Sequence, residues 1–79
     1  MAIEVLSLYN TRAELDQRLA DFFSSGTRLA WIIDPAIQNV EVCHSPRDRQ
    51  VIDSSACLDG EDVVPGFRYP VAELFKEWD

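Results

Sequence analysis

Residues 11–26 read T-R-A-E-L-D-Q-R-L-A-D-F-F-S-S-G. Thr11 followed three residues later by Glu14 is a capping box: the hydroxyl accepts from the Glu14 amide and the carboxylate reaches back. Asn10 is the alternative cap. Leu15, Leu19, Phe22 and Phe23 fall at i, i+4, i+7 and i+8, which makes one apolar stripe. Arg12, Asp16 and Asp21 fall on other faces. Gly26 supplies a left-handed stop. The spacing predicts a helix over 12–24.

An apolar run lies on each side of this helix. Residues 2–8, A-I-E-V-L-S-L, put Ile3, Val5 and Ser7 on one face and Ala2, Glu4, Leu6 and Leu8 on the other. Both faces are mostly apolar, the pattern of a central strand covered on both sides. Residues 28–33, R-L-A-W-I-I, form a second continuous run. Strand, helix and strand together read as a βαβ unit with parallel strands and a right-handed crossover.

The remaining chain extends that unit. Asp34 and Pro35 set a type I turn. Residues 39–44, N-V-E-V-C-H, alternate, with Val40 and Val42 on one side and Glu41 and Cys43 on the other. They read as an antiparallel return strand near an edge. S-P-R-D-R is a polar turn and Q-V-I-D-S a short strand. C-L-D-G-E-D is a loop around Gly60, and V-V-P-G-F-R holds a brief extended piece. Pro70 opens a short final helix over 71–78, where proline is tolerated. The expected fold class is α/β (α+β): a mixed sheet with a βαβ start, an antiparallel extension and a short C-terminal helix.

At 79 residues the chain holds a single domain, 1–79. A domain this small has a marginal core and gains from a partner chain. The composition is globular, 47% hydrophobic and 27% charged. Fourteen acidic residues against seven basic ones give a net charge of −7. That balance argues against broad nonspecific binding to nucleic acid or anionic membrane. A metal bridging the site to phosphate would still permit cleavage of DNA. No apolar run is long enough to span a membrane, and the N-terminus carries no signal-peptide pattern. The expected setting is the cytoplasm.

The order A-I-E-V-L-S, helix ending F-F-S-S-G, R-L-A-W-I-I-D-P, valine-rich strand, G-E-D-V-V-P-G-F-R-Y-P-V-A-E-L-F resembles the Uma-two family of putative restriction endonucleases. The resemblance covers nearly the whole chain. It implies the fold of PD-(D/E)xK nucleases and metal-dependent cleavage of DNA, a hydrolysis. In such a site carboxylates hold Mg²⁺, or Mn²⁺ in its place, and a lysine orients or activates water. The family's E-V-x-S glutamate falls on Glu4, the implied metal ligand and catalytic acid group. The family's lysine falls on Arg18, which stays charged and cannot act as a base at neutral pH. It would instead contact phosphate.

The resemblance also implies a Pro-Asp ahead of Glu4, supplying the first carboxylate, and none precedes it here. The chain therefore reads as the C-terminal half of a nuclease-like domain with an incomplete site of its own. A second copy, or a chain supplying the N-terminal half, would complete it. The alternative is a non-catalytic, nuclease-derived binding or dimerisation module. Each site candidate has a plainer explanation. Glu4 would be an exposed strand acid, and Arg18 a solvated residue pairing with Glu14 at i, i+4.

Other clusters are weaker. Cys43 and Cys57 lack metal or redox spacing and read as two buried free thiols. His44 beside them makes a poor zinc set. Asp34-Pro35 is explained by its turn. Asp59, Glu61 and Asp62 around Gly60 lack the spacing of a calcium loop. Trp31 is expected in the core, and Trp78 partly exposed.

Overall fold

The computed structural model describes residues 1–7 and 11–76. In chain order the elements are β1 (Ala2–Val5), α1 (Arg12–Ser24), β2 (Ala30–Asp34), β3 (Asn39–Cys43), β4 (Arg49–Ile52), β5 (Cys57–Asp59), β6 (Arg68–Pro70) and α2 (Val71–Lys76). Strands β1 to β4 form one sheet in that order, and β5 pairs with β6 in a second. β1 and β2 are parallel, with Ala2 beside Ala30 and Val5 beside Ile33. β2, β3 and β4 run antiparallel in succession. The βαβ start, its antiparallel extension and the short last helix are the mixed architecture expected from the sequence.

Helix α1 begins and ends as its sequence dictates. The Thr11 hydroxyl accepts from the Glu14 amide at 3.1 Å. The Ser25 amide donates back to the carbonyls of Asp21 and Phe22, and Gly26 takes φ +98°. Leu15 and Leu19 lie on the buried side with Ala30, Ile32 and Cys43, and Phe23, Ala2 and Leu6 pack around them. Phe22 is only half-buried.

The opposite sheet face carries the larger core. Leu29, Trp31, Ile33 and Val40 pack there with Leu58, Val71 and Phe75. Alternation along β2 thus feeds two layers: Ala30 and Ile32 face α1, while Trp31 and Ile33 face the small sheet and α2. Each such buried aliphatic side chain contributes roughly 1.5–3 kcal/mol of transfer free energy.

Two expectations about the sheet are corrected. β1 is an edge strand among the described residues, with β2 as its one neighbour. Ile3 and Val5 stand 53% and 43% exposed. The apolar run misled because apolar faces also mark an edge that lacks a cover. β3 lies inside the sheet, between β2 and β4. Its polar member, Glu41, is tolerated there because Arg12 pairs with it.

The loop expected at 57–62 is also shorter than read, since Cys57–Asp59 pair with Arg68–Pro70. Three residues are too few for alternation to register. The final helix is described from Val71 to Lys76. Leu8, Asn10 and Trp78 lie outside the described residues.

The cysteines separate rather than sharing one environment. Cys43 is fully buried, whereas Cys57 is exposed, contrary to the expectation for it. Leu58 takes the buried face of the two-stranded sheet, so its neighbour Cys57 turns outward. Burial pushes the Cys43 thiol up to about 11, helped by Glu41 and opposed by Arg49. Below pH 9 both folded and unfolded thiols are protonated, so Cys43 adds no pH dependence. Between pH 9 and about 11 the unfolded thiol ionises first, and stability falls as pH rises. At pH 8 an alkylating reagent should label one thiol in the native chain, Cys57, and two in urea. Rapid labelling of both without denaturant would contradict this packing. Cys43→Ala should flatten part of the stability loss above pH 9.

Candidate active site

The helix-facing side of the sheet collects the acids. Pairing places Glu4 beside Ile32, Ile32 beside Glu41, and Glu41 beside Val51. Glu4 and Glu41 therefore share one row and one face, two strand spacings or about 10 Å apart. An acid on a face that packs against a helix needs a cation, and α1 supplies one to each. Arg18 donates to the Glu4 carboxylate. Arg12 stands 3.8 Å from Glu41. A third pair runs the other way, from Arg49 of β4 to Asp16 of α1 at 2.7 Å. Residues that the helical wheel sends away from the apolar stripe thus fasten both margins of α1 to the sheet.

The structure brings Glu4 and Arg18 together. The Glu4 side chain is 16% exposed and that of Arg18 50%. Glu4 is therefore not a freely solvated strand acid. Arg18 is paired across 14 residues of sequence and not with Glu14, the i+4 partner expected within the helix. Tertiary placement overrides the local pairing, because Glu4 is the more shielded carboxylate. Arg18 reaches it from outside, so one side of the ion pair stays open to solvent at the β1 edge.

One concave feature was not foreseen. A pocket of about 350 Å³ is lined by Leu6, Arg12, Ile32, Asp34, Asn39 and Glu41, among others. It lies where β2 turns into β3, and no sequence motif marks it. The Asp34 carboxylate at its rim accepts from the Ala36 amide at 3.1 Å, which is the turn role expected of it.

The remaining clusters resolve as structure. His44 is held by Glu61 at 2.8 Å through Nε2 and faces Asp48 at 3.8 Å through Nδ1. Asp59 accepts from the Glu61 amide at 2.8 Å and closes a turn. No group of three or more metal-ligating side chains forms among the described residues. Asp53 is exposed, and its carboxyl is held below the usual range by the Ser55 hydroxyl and amide.

Fitness for a metal can be judged from the donor set. A divalent ion of the Mg²⁺ class takes six oxygens and is held by one or two carboxylates besides water and phosphate. One copy of this chain offers Glu4, already neutralised by Arg18, with the next acid of its row two strands away. The described residues of a single copy do not make a metal site by themselves.

The βαβ layout thus sets an acid of the first strand, Glu4, against a cation of the following helix, Arg18. The chain matches the Uma2 family of putative restriction endonucleases over residues 1–72 and belongs to it. Among solved structures it is similar to a putative nuclease belonging to DUF820 from Anabaena variabilis ATCC 29413, at 24% identity and a TM-score of 0.81. That likeness covers 94% of this chain and 42% of the other, so the chain spans under half the length of the structure it matches. It shows the fold. No curated protein matches the chain. No helix among the described residues is long and apolar enough to cross a membrane.

Proposed function

We propose that these residues form part of a metal-dependent DNA endonuclease site, completed by a second carboxylate from outside them. The observation that supports this most is the Glu4–Arg18 pair: a shielded acid on the first strand, held by a cation, at an open sheet edge. Glu4 would be one ligand of Mg²⁺ or Mn²⁺, and the second carboxylate would come from outside these residues, a second copy being one source. The ion, when bound, would polarise phosphate and activate water. Arg18 would hold Glu4 in place and, with its exposed guanidinium, meet a DNA phosphate in bidentate fashion. It would not take up a proton, so no general base is assigned to this chain. Two free thiols suit the reducing cytoplasm.

A second reading has its own support. Arg18 already satisfies Glu4, and no other acid of the row reaches it. That is how a nuclease-derived binding or dimerisation module that cuts nothing would be arranged. Calorimetric titration with Mn²⁺ separates the two. The nuclease reading expects heat of binding that disappears in Glu4→Gln. No heat from the assembled wild type would leave the module reading in place.

A further inference from the structure

The outer edge of β1, unpaired among the described residues, has a pattern of its own. The Ala2 amide donates to Leu29 and the Leu6 amide to Ile33. In a parallel ladder, bonds to the neighbour fall on every second residue. Ala2, Glu4 and Leu6 are thus engaged with β2, and Ile3 and Val5 direct their amides and carbonyls outward. Exposed apolar surface gathers on the same margin. Met1 and Ile3 line a pocket of about 140 Å³ with Trp31, Val64 and Phe67. The Trp31 Nε1 is buried and has no hydrogen-bond partner among the described residues.

We propose that a second copy of this chain adds its β1 antiparallel to this edge, about a two-fold axis through Glu4, placing Glu4 and Arg18 of both copies in one site. With that register Ile3 lies opposite Val5 of the second copy, and Val5 opposite its Ile3. Every outward amide and carbonyl of the two residues is then bonded across the axis. The two Glu4 side chains meet directly, on the helix-facing side. Like charges opposite one another oppose pairing. Here each arrives with its own Arg18, so two carboxylates and two guanidiniums cancel at the axis. The net charge of −7 per copy lies elsewhere.

The helices leave room. α1 packs on residues of β1, β2 and β3, centred over β2. Across the axis the two copies of α1 stand three strand spacings apart, about 14 Å, beyond the 8–10 Å of helices in contact. On the other face Ile3 and Val5 cover one another's neighbours and lengthen the apolar margin that holds Trp31. A symmetric interface of this kind needs one patch, self-complementary, and β1 is such a patch.

The consequence for function rests on the reading of Glu4 given above. The pairing itself does not, and the two fail separately: an inactive dimer would remove that reading and leave this one standing. Sedimentation of the full chain at tens of micromolar should give twice the chain mass. Val5→Pro removes an amide that the fold does not use and should return the chain to monomer, with its circular dichroism unchanged. Ile3→Lys should do the same, should Val5→Pro fail to fold. Register is read by cross-linking in a Cys57→Ser background. Two residues at the axis sit about 4.5 Å apart, inside the reach of a disulfide, so Glu4→Cys should form a covalent dimer on mild oxidation. Ile3→Cys should not, since the two copies would stand more than about 8 Å apart. A wild type that stays monomeric overturns the proposal. So does a dimer that cross-links through Ile3→Cys and not through Glu4→Cys.

Discussion

Leu19→Ala should lower the free energy of unfolding by about 3–4 kcal/mol. Leu19 is 1% exposed and packs with Leu15, Ala30, Ile32 and Cys43. Truncation removes the transfer free energy of the lost carbons and leaves a cavity between helix and sheet. The site has little means of collapsing, because Arg18–Glu4 and Arg49–Asp16 hold the helix margins at fixed height. The effect is large against the total. A domain of this size has roughly 5–10 kcal/mol to lose. Thirteen residues are too few for α1 to persist without its packed face. Urea unfolding followed by far-ultraviolet circular dichroism should show the midpoint moving to about half its wild-type value. A loss under about 1 kcal/mol would mean that α1 is not anchored through Leu19.

Gly60→Ala should cost about 2–3 kcal/mol for a different reason. Gly60 does not need a left-handed backbone. It needs the absence of a side chain. A Cβ there would meet the Val64 carbonyl oxygen at 2.3 Å and the Val64 Cβ at 2.8 Å. Both belong to the turn that Gly60 itself closes, through its amide to Phe67 and its carbonyl to the Val64 amide. The clash is with backbone, so no rotamer relieves it. Relief requires opening the β5–β6 turn, which carries Phe67 against Trp31 at a ring separation of 5.6 Å. Gly66→Ala is the contrast: space is open around it, and its φ of +82° alone penalises the change, by about 1 kcal/mol. Thermal unfolding of both variants should rank them in that order, with Trp31 fluorescence shifted in Gly60→Ala. Equal losses would show that the turn yields.

How much of this was visible in the residues follows from the range of each force. Helix α1 was legible to its last residue because its cap, stripe and stop are local, set by Thr11, Leu15, Leu19 and Gly26. The parallel pairing of β1 with β2 was legible from the spacing of two apolar runs about a helix. The position of β1 in the sheet was not, because Ile3 and Val5 look alike whether covered or bare. β5 was missed since Cys57–Asp59 owe their extended form to Arg68–Pro70, nine or more residues away. At the site, Glu4 was singled out by the resemblance of its strand to the family's E-V-x-S. Its partner was misread because pairing at i, i+4 is what a helix alone would choose. Arg18 turns to Glu4 only after the helix has docked.

The claim on which the functional account turns is that Glu4 is an acid of a metal-dependent nuclease site. Nicking of supercoiled plasmid tests it most directly. Wild type and Glu4→Gln would be incubated in Mg²⁺ or Mn²⁺, with and without chelator, at concentrations where the chain assembles. Glu4→Gln keeps the shape and loses the charge, so its fold serves as the control. Wild type should nick in a manner that chelator stops, and Glu4→Gln should fall by at least about a hundredfold, the scale of losing an essential electrostatic group. Undiminished nicking by Glu4→Gln, or none by assembled wild type in either metal, would contradict it.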